Sequence, residues 1–119
     1  MHEFQVTINL IKYLVKVASE RGAKKVSEVY VEIGELTHLS QEQIQFLYSM
    51  LSARYPELNS SKLYISKRRA KIMCLDCNYT GGLGGEDDLL AFICPNCGSA
   101  NIRVLEGTGF TVTRIKLIL

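Results

Sequence analysis

The sequence predicts an α+β fold, in which two helices pack on a small sheet of about three strands that carries an inserted zinc-ribbon-like lobe. Two segments have apolar residues at helical spacing, three have alternating apolar and polar residues, and two Cys-x-x-Cys pairs precede the last strand. Apolar residues make up 47% of the 119-residue chain, enough for one packed core. The order predicts an α/β domain of residues 1–71 and 103–119, and a cysteine domain of residues 72–102.

The first predicted helix covers residues 4–21, where apolar side chains recur every three or four positions. Charged residues fall on the opposite side, and Gly22 is a natural C-terminal cap. The predicted inward stripe consists of Phe4, Ile8, Ile11, Leu14 or Val15, and Ala18.

The second predicted helix begins after Ser40, which forms a capping-box pattern with Gln43. Leu39 and Ile44 fit the hydrophobic staple that accompanies such a start. Pro56 should stop the helix, because the residue before a proline avoids helical geometry. The predicted inward stripe is Ile44, Leu47, Tyr48 and Leu51, widened by Phe46 and Met50.

Three further segments alternate as half-buried strands do. VSEVYVEIG has Val29, Val31 and Ile33 on one face, and SKLYIS has Leu63 and Ile65. The closing segment, residues 104–119, alternates except for one break of step near Arg114, which a β-bulge can absorb. The basic run KRRAK is interpreted as a solvated strand face or edge, because the net charge is only +2.

Composition and hydropathy exclude several classes of protein. Lys+Arg 14 against Asp+Glu 12 gives no reason to expect a nucleic-acid partner. The apolar stretch INLIKYLVKVA is interrupted by Lys12 and Lys16 and lacks the layout of a signal peptide or membrane span. We therefore expect a cytoplasmic protein with no membrane partner, whose cysteines bind metal rather than form disulfides.

The cysteine motif reads Cys74-Leu-Asp-Cys77, then sixteen residues, then Cys94-Pro-Asn-Cys97-Gly. Two such turns supply the four thiolates of a tetrahedral site, and Gly98 relieves crowding behind the second pair. Four cysteines leave no open position for water, so a structural zinc site is predicted, with rubredoxin-type iron as the competitor. Glu86, Asp87 and Asp88, in the glycine-rich spacer, are interpreted as solubilising charges.

The opening Met1-His2-Glu3 is the second candidate metal site. The terminal amine of Met1, the amide and imidazole nitrogens of His2, and the amide or carboxylate of Glu3 can all reach one ion. A planar, nitrogen-rich set favours nickel(II) or copper(II), and its ligands must lose protons to bind. The structural alternative is that these residues only start a helix, while His38 is interpreted as a turn or surface residue.

In these residues the sequence resembles the HypA-type hydrogenase accessory proteins, which are nickel metallochaperones. The resemblance is carried by Met1-His2-Glu3, the helix behind it, VEIGEL at residues 31–36, the two cysteine pairs and the closing strand. It implies a nickel-binding domain carrying Met1, His2 and Glu3, and a zinc domain carrying Cys74, Cys77, Cys94 and Cys97. It further implies nickel delivery to the large subunit of a [NiFe] hydrogenase, with a HypB-type GTPase as partner and no enzymatic activity.

Two alternative hypotheses about function are also compatible with the sequence. A zinc-ribbon adaptor that binds nucleic acid would be indifferent to a blocked amino terminus, and a redox protein with iron in the four-cysteine site would be coloured. The spacer GGLGGEDD, residues 81–88, contains no histidine, which departs from the family pattern. The sequence does not decide between monomer and homodimer, or whether urease is also a client.

Overall fold

The computed structural model describes residues 2–83 and 93–119. The elements in chain order are α1 (Glu3–Glu20), β1 (Lys25–Gly34), a 3-10 turn (Glu35–Thr37), α2 (Gln41–Ser52), β2 (Lys62–Arg68), β3 (Lys71–Cys74), β4 (Thr80–Gly81), β5 (Ile102–Glu106) and β6 (Phe110–Ile118). Within the two described ranges the strands form two three-stranded sheets, a main sheet of order β2-β1-β6 and a second sheet of order β4-β3-β5. The predicted α+β fold, with two helices, a small sheet and a separate cysteine lobe, is confirmed.

The main sheet is built around β1. This strand runs parallel to β2, with Val29 opposite Leu63, and antiparallel to β6, with Val29 opposite Ile115. Parallel neighbours need a crossover, and α2 supplies it between β1 and β2. The pairing skips Thr113 between the pairs Tyr30–Arg114 and Val31–Val112, so the bulge predicted near Arg114 is confirmed.

Helix α1 covers the main sheet with a face slightly different from the predicted one. The buried line passes through Thr7, Leu10, Ile11, Leu14 and Ala18, whereas Phe4 is 58% exposed. Each helical residue turns by about 100°, so residue 4 falls beside this buried line, roughly 70° from its centre, rather than on it. Gly22 has φ +63° directly after the helix, as its predicted capping role requires.

Helix α2 also buries a narrower face than predicted. Ile44 and Tyr48 are fully buried, but Phe46 is 61% and Met50 51% exposed, so the predicted widening of the stripe is wrong. Those two residues lie two positions beyond the buried line, roughly 200° around the helix. The helix ends at Ser52, before Pro56 is reached. None of the helices in the described ranges is both long and apolar enough to cross a membrane.

The two sheets meet at the VEIGEL segment, residues 31–36. The Gly34 N–H donates to the carbonyl of Gly109 at 2.7 Å, and a carboxylate oxygen of Glu35 accepts from the Ala70 N–H at 2.8 Å. Both chain crossings between the lobes are therefore held by this one segment. VEIGEL, one of the motifs that carry the family resemblance, therefore joins the two sheets; we call residues 31–36 the junction segment.

The basic run beside the junction is part of this arrangement. Arg68 lies within 3.5 Å of Glu32 and 3.4 Å of Glu106, so its charge is paired within the chain. Strand β2, which carries Lys67 and Arg68, is an edge of the main sheet, as the solvated-edge interpretation expects. The strands of the second sheet lie within residues 71–106, and the division into domains at residues 72–102 stays a prediction.

Candidate metal centres

The two Cys-x-x-Cys turns are built in the same way. The carbonyl of Cys74 accepts from the Asn78 N–H at 3.1 Å, and that of Cys94 accepts from the Gly98 N–H at 2.8 Å. Asn78 and Gly98 have φ of 65° and 75°, the left-handed conformation that glycine adopts without strain and asparagine tolerates. A Cβ at Gly98 would meet nothing within 4 Å, so the predicted relief of crowding is wrong, and the left-handed φ is what favours glycine there.

These turns bring the four thiols together at one point. All four sulfur atoms, those of Cys74, Cys77, Cys94 and Cys97, lie within 4.8 Å of one another. The closest pairs, Cys74–Cys97 and Cys77–Cys94, join the two turns at 3.6 Å each. A tetrahedral ion with metal–sulfur bonds of about 2.3 Å requires sulfur–sulfur edges of about 3.8 Å, and a disulfide only about 2.05 Å. The cluster therefore fits a four-thiolate metal ion.

Hydrogen bonds make one of these thiols acidic. The side-chain amide of Asn96 donates to the Cys77 sulfur at 3.4 Å and, with the backbone N–H of Tyr79, lowers the pKa of Cys77 to about 6. For Cys97, the backbone N–H of Ser99 acts to lower the pKa, but burial and the neighbouring thiols outweigh it and raise the pKa to about 12. These two pKa shifts favour the thiolate of Cys77 near neutral pH, whereas Cys97 needs a nearby cation to ionise there.

A polar network clamps the first turn to the segment after the second. The Asp76 carboxylate accepts hydrogen bonds from the Ser99 hydroxyl and, at 3.3 Å, from the Asn101 side-chain amide. Those two bonds lower the pKa of Asp76, with Ser99 contributing more. The sequence alone did not indicate a role for Asp76, Asn96, Ser99 or Asn101; the only signal was the small polar residues next to each cysteine pair.

At the amino terminus, the structure places two of the three predicted ligand residues at the start of α1. His2 is exposed at the N-cap position, makes no side-chain capping bond, and its carbonyl accepts from the Val6 N–H at 2.9 Å. An α-helix bonds each N–H to the carbonyl four residues earlier, so its ladder uses neither the His2 nor the Glu3 amide. Met1 lies outside the described residues, as do Glu86, Asp87 and Asp88 of the spacer.

The Glu3 side chain has a structural contact that the sequence did not indicate. It is only 5% exposed, and its Oε2 accepts from the Ser40 N–H at 2.8 Å. The Ser40 hydroxyl accepts from the Gln43 N–H at 3.2 Å, so the predicted capping box is half right. In its other half, Glu3 of α1 replaces Gln43 as the acceptor for the Ser40 N–H. This contact fixes the start of α1 against the start of α2.

The pH dependence of this contact is testable with Glu3→Gln. The terminal amino group, and then the Ser40 N–H, lower the pKa of Glu3 from 4.5 to about 2. The ionised carboxylate therefore stabilises the fold above about pH 4.5, and this contribution is lost as the pH falls toward 2. We expect Glu3→Gln to have a lower free energy of unfolding than the parent near neutral pH, and the gap to close in acid.

Urea unfolding followed by far-UV circular dichroism at several pH values measures this gap. Glu57→Gln, between α2 and β2, is the matched control and should show no gap that closes in acid, because the Glu57 side chain makes no hydrogen bond or ion pair in the described structure. Metal loss in acid affects all three proteins alike and cancels in the comparison. A gap for Glu3→Gln of constant size from neutral pH to pH 2 would contradict the assignment.

No second cluster of donors appears in the described ranges. There, the four cysteines form the only group of three or more His, Cys, Asp or Glu side chains close enough to share an ion. His38 is exposed in a left-handed turn, φ 57°, at the end of the 3-10 turn, as its turn interpretation expects.

The chain is similar to known proteins over nearly its whole length. Residues 1–117 match the family described as hydrogenase/urease nickel incorporation, metallochaperone, HypA. A hydrogenase maturation factor HypA from Methanocella arvoryzae is 36% identical over 98% of each chain. One of the same name from Methanococcus maripaludis strain C7 is 31% identical over 98% of this chain and 95% of its own.

The fold agrees with a solved member of the same group. The solution structure of the nickel metallochaperone HypA from Helicobacter pylori has a TM-score of 0.71, covering 99% of this chain and 98% of that one, at 21% identity. The family description and the relatives' names, which denote a metallochaperone and a maturation factor, confirm the resemblance and the expectation that the chain is not an enzyme. Because the family match covers nearly the whole length of the chain, this chain belongs to the HypA family of hydrogenase/urease nickel-incorporation metallochaperones.

Proposed function

We propose that this chain binds nickel(II) as cargo at its amino terminus. The ligands are the terminal nitrogen of Met1, the amide and imidazole nitrogens of His2, and the amide nitrogen of Glu3. This set closes adjacent chelate rings and gives the planar nitrogen environment that nickel(II) favours. The observation that carries the proposal is the start of α1 at Glu3, which keeps both amides outside the helical hydrogen-bond ladder.

The contact between Glu3 and Ser40 refines the ligand set. The buried Glu3 carboxylate already accepts from the Ser40 N–H, which favours the Glu3 amide over its carboxylate as the fourth ligand. The same contact anchors the helix start, so the chelating residues do not sit on a loose tail. The positive end of the helix dipole repels a cation, and deprotonated amides compensate for this only above acidic pH. The repulsion by the helix dipole and the loss of amide ligands in acid both suit a site that releases its ion.

The four-cysteine cluster is proposed to hold a structural zinc ion. Cys74, Cys77, Cys94 and Cys97 supply a closed shell of four thiolates, which leaves no position for a reacting water. Zinc would supply a cross-link between the two turns, around which a small lobe can fold. Metal analysis distinguishes zinc from iron, since an iron-loaded sample would be coloured.

The rest of the proposal concerns the two domains, the cellular location, the recipient of the nickel and the partner protein. We assign the metals to a nickel domain of residues 1–71 and 103–119 and a zinc domain of residues 72–102, in a cytoplasmic protein. The nickel is delivered to the large subunit of a [NiFe] hydrogenase, with a HypB-type GTPase as partner. Nickel transfer from the loaded protein to a purified large subunit should be faster when the GTPase is present, and equal rates would count against this partner.

The nickel site is tested by calorimetry on tag-free protein with its native amino terminus. We expect binding of about one nickel per chain. His2→Ala, and a version extended by Gly-Ser before Met1, should each bind roughly a hundredfold more weakly, because each removes chelate rings. His38→Ala is the matched control, since it removes the other histidine of the chain.

Two further readouts separate the outcomes. Glu3→Gln should keep nickel binding and its planar absorption spectrum if the Glu3 amide is the ligand, and lose them if the carboxylate is. Zinc content should stay equal in all versions. Equal nickel binding by the native, His2→Ala and extended proteins would mean that the amino terminus only starts a helix. The zinc-ribbon adaptor would then be the favoured hypothesis.

A further inference from the structure

A groove runs along the outer edge of the main sheet, beside β6. Its larger part, of about 480 Å³, lies between the second half of α1 and β6. A smaller part, of about 280 Å³, continues toward the start of α1, and Tyr13 and Val112 line both. Within the described residues, β6 pairs with β1 on one side and with no strand on the other. The groove therefore borders an edge strand.

The floor of this groove is an incompletely covered part of the core. The inward side chains of the central strand β1, such as Val29 and Val31, are at most 2% exposed. In contrast, the four inward side chains of β6 pack against the same core but stay partly exposed: Phe110, Val112, Ile115 and Leu117. An apolar strip at strand spacing is what the apolar side of one further strand would cover.

The wall of the groove includes the backbone edge of β6. Thr113 and Arg114 line it, although Arg114 lies over the ring of Tyr30, on the sheet face opposite the helices. In an antiparallel pair, alternate residues point their N–H and C=O groups away from the partner strand. Such an edge is a template for an added strand unless it is covered.

The charges around the groove favour one kind of occupant. Lys16, Arg21 and Arg114 line it together with a single acid, Glu20. A second copy of β6 would bring Arg114 and Lys116 opposite cations, because residues 110–119 contain no acidic side chain. Lys116 already pairs with Glu28 of β1 at 3.4 Å. An acidic segment from a different protein would therefore meet Arg114, Lys16 and Arg21 instead.

We propose that the groove beside β6 receives an extended segment of a partner protein, added to the main sheet as a fourth strand. The segment alternates apolar side chains, which cover the floor on the helix side, with acidic ones, which reach Arg114 on the opposite face of the sheet; Lys16 and Arg21 of α1 flank the segment. Backbone hydrogen bonds to β6 supply affinity, and the alternation supplies register and specificity. The inference rests on the β6 edge alone and is independent of the metal ligands proposed above.

The probe is a ten-residue peptide of alternating valine and glutamate, added to the zinc-loaded full chain. Hydrogen exchange of backbone amides, followed by NMR, should show new protection along β6 and none along β2, the other edge of the main sheet. The same peptide with methylated backbone nitrogens should bind roughly tenfold more weakly or worse, because it cannot donate to the edge. A reordered peptide of equal composition but without alternation should also bind more weakly.

A charge exchange tests the cations around the groove. Lys16→Glu combined with Arg114→Glu should weaken binding of the glutamate peptide roughly tenfold and strengthen binding of the matching valine–lysine peptide. Lys12→Glu combined with Lys62→Glu changes the net charge equally at residues that do not line the groove, and should leave both affinities nearly unchanged. Circular dichroism confirms that both double variants are folded.

Three results would overturn the proposal. The first is an absence of protection along β6 with every peptide. The second is equal binding of the methylated and unmethylated peptides, which would indicate non-specific attraction. The third is protection of β6 in the protein alone that increases with its concentration in step with dimer formation, which would assign the edge to a second copy.

Discussion

Cys94→Ser is expected to abolish metal binding at the cysteine cluster and to unfold the lobe around it, while the main sheet and its helices stay folded. Cys94 is 1% exposed, and its sulfur accepts hydrogen bonds from the backbone N–H groups of Asn96 and Cys97. A serine hydroxyl is a shorter and harder ligand that does not ionise as a thiol does. The tetrahedral shell would lose one of its four donors.

The described part of the lobe has only a small apolar core. Its described residues that are buried and apolar are few: Ala70, Ile72, Cys74 and Cys94. Strand β4 contributes two residue pairs to the second sheet. Structural zinc sites contribute roughly 10–16 kcal/mol of apparent binding free energy, far more than so small a core can replace. The main lobe keeps its own core of buried residues from α1, α2 and β1, so it should survive.

Metal analysis and amide hydrogen exchange check this prediction together. Exchange should become fast within residues 71–106 and stay slow in β1. Leu75→Ala, which alters an exposed side chain between two ligands, should keep its metal and its protection. Slow exchange throughout the lobe in metal-free Cys94→Ser protein would show that its polar clamp suffices without an ion.

Gly34→Ala is expected to destabilise the main lobe strongly, through a backbone collision at the junction segment. A Cβ at this position would lie 2.3 Å from the carbonyl carbon and oxygen of Gly107 and 2.8 Å from the nitrogen of Thr108. Backbone atoms cannot rotate aside as a side chain can, so two crossing segments must separate. That movement would also stretch the bond from the Gly34 N–H to Gly109. We expect a loss of about 3 kcal/mol or more and a Tm lower by roughly 10 °C.

Thermal unfolding of the metal-loaded protein, followed by circular dichroism, measures the effect. Gly109→Ala is the matched control, because its Cβ would approach nothing closer than 3.7 Å and its φ is not positive. Its Tm should fall by little. A Gly34→Ala protein with a Tm like that of the control would mean that the junction segment can open without cost to the sheet.

Sequence reasoning worked best where one physical pattern decides the outcome. Strand β1 was recognised because it is central, so its alternate residues are fully buried on one face. The cysteine cluster was recognised because two residues between thiols leave little choice of geometry. The break of step near Arg114 identified a bulge because each strand residue must face one side or the other.

It failed where the outcome depends on contacts distant in sequence. Phe4 flanks the buried face of α1, and Phe46 and Met50 lie roughly 200° around α2 from its buried line, so their apolar character did not predict their exposure. The bond between Glu3 and Ser40 joins residues 37 apart, and no local pattern contains it. The Asn96 contact to Cys77 likewise arises only after both turns have come together.

The route of the chain through the junction has a consequence for evolution and for protein engineering. Arg68 ends β2 opposite Gly34, and Phe110 begins β6 opposite Ile33, so the chain leaves and re-enters the main sheet at the same end of β1. The two points are two strand spacings apart, roughly 10 Å, a gap that about four residues can span. The cysteine lobe is thus inserted where a short loop would otherwise suffice. It can change in length and sequence, or be replaced by a minimal bridge, without changing the strand order of the main sheet on which α1 packs.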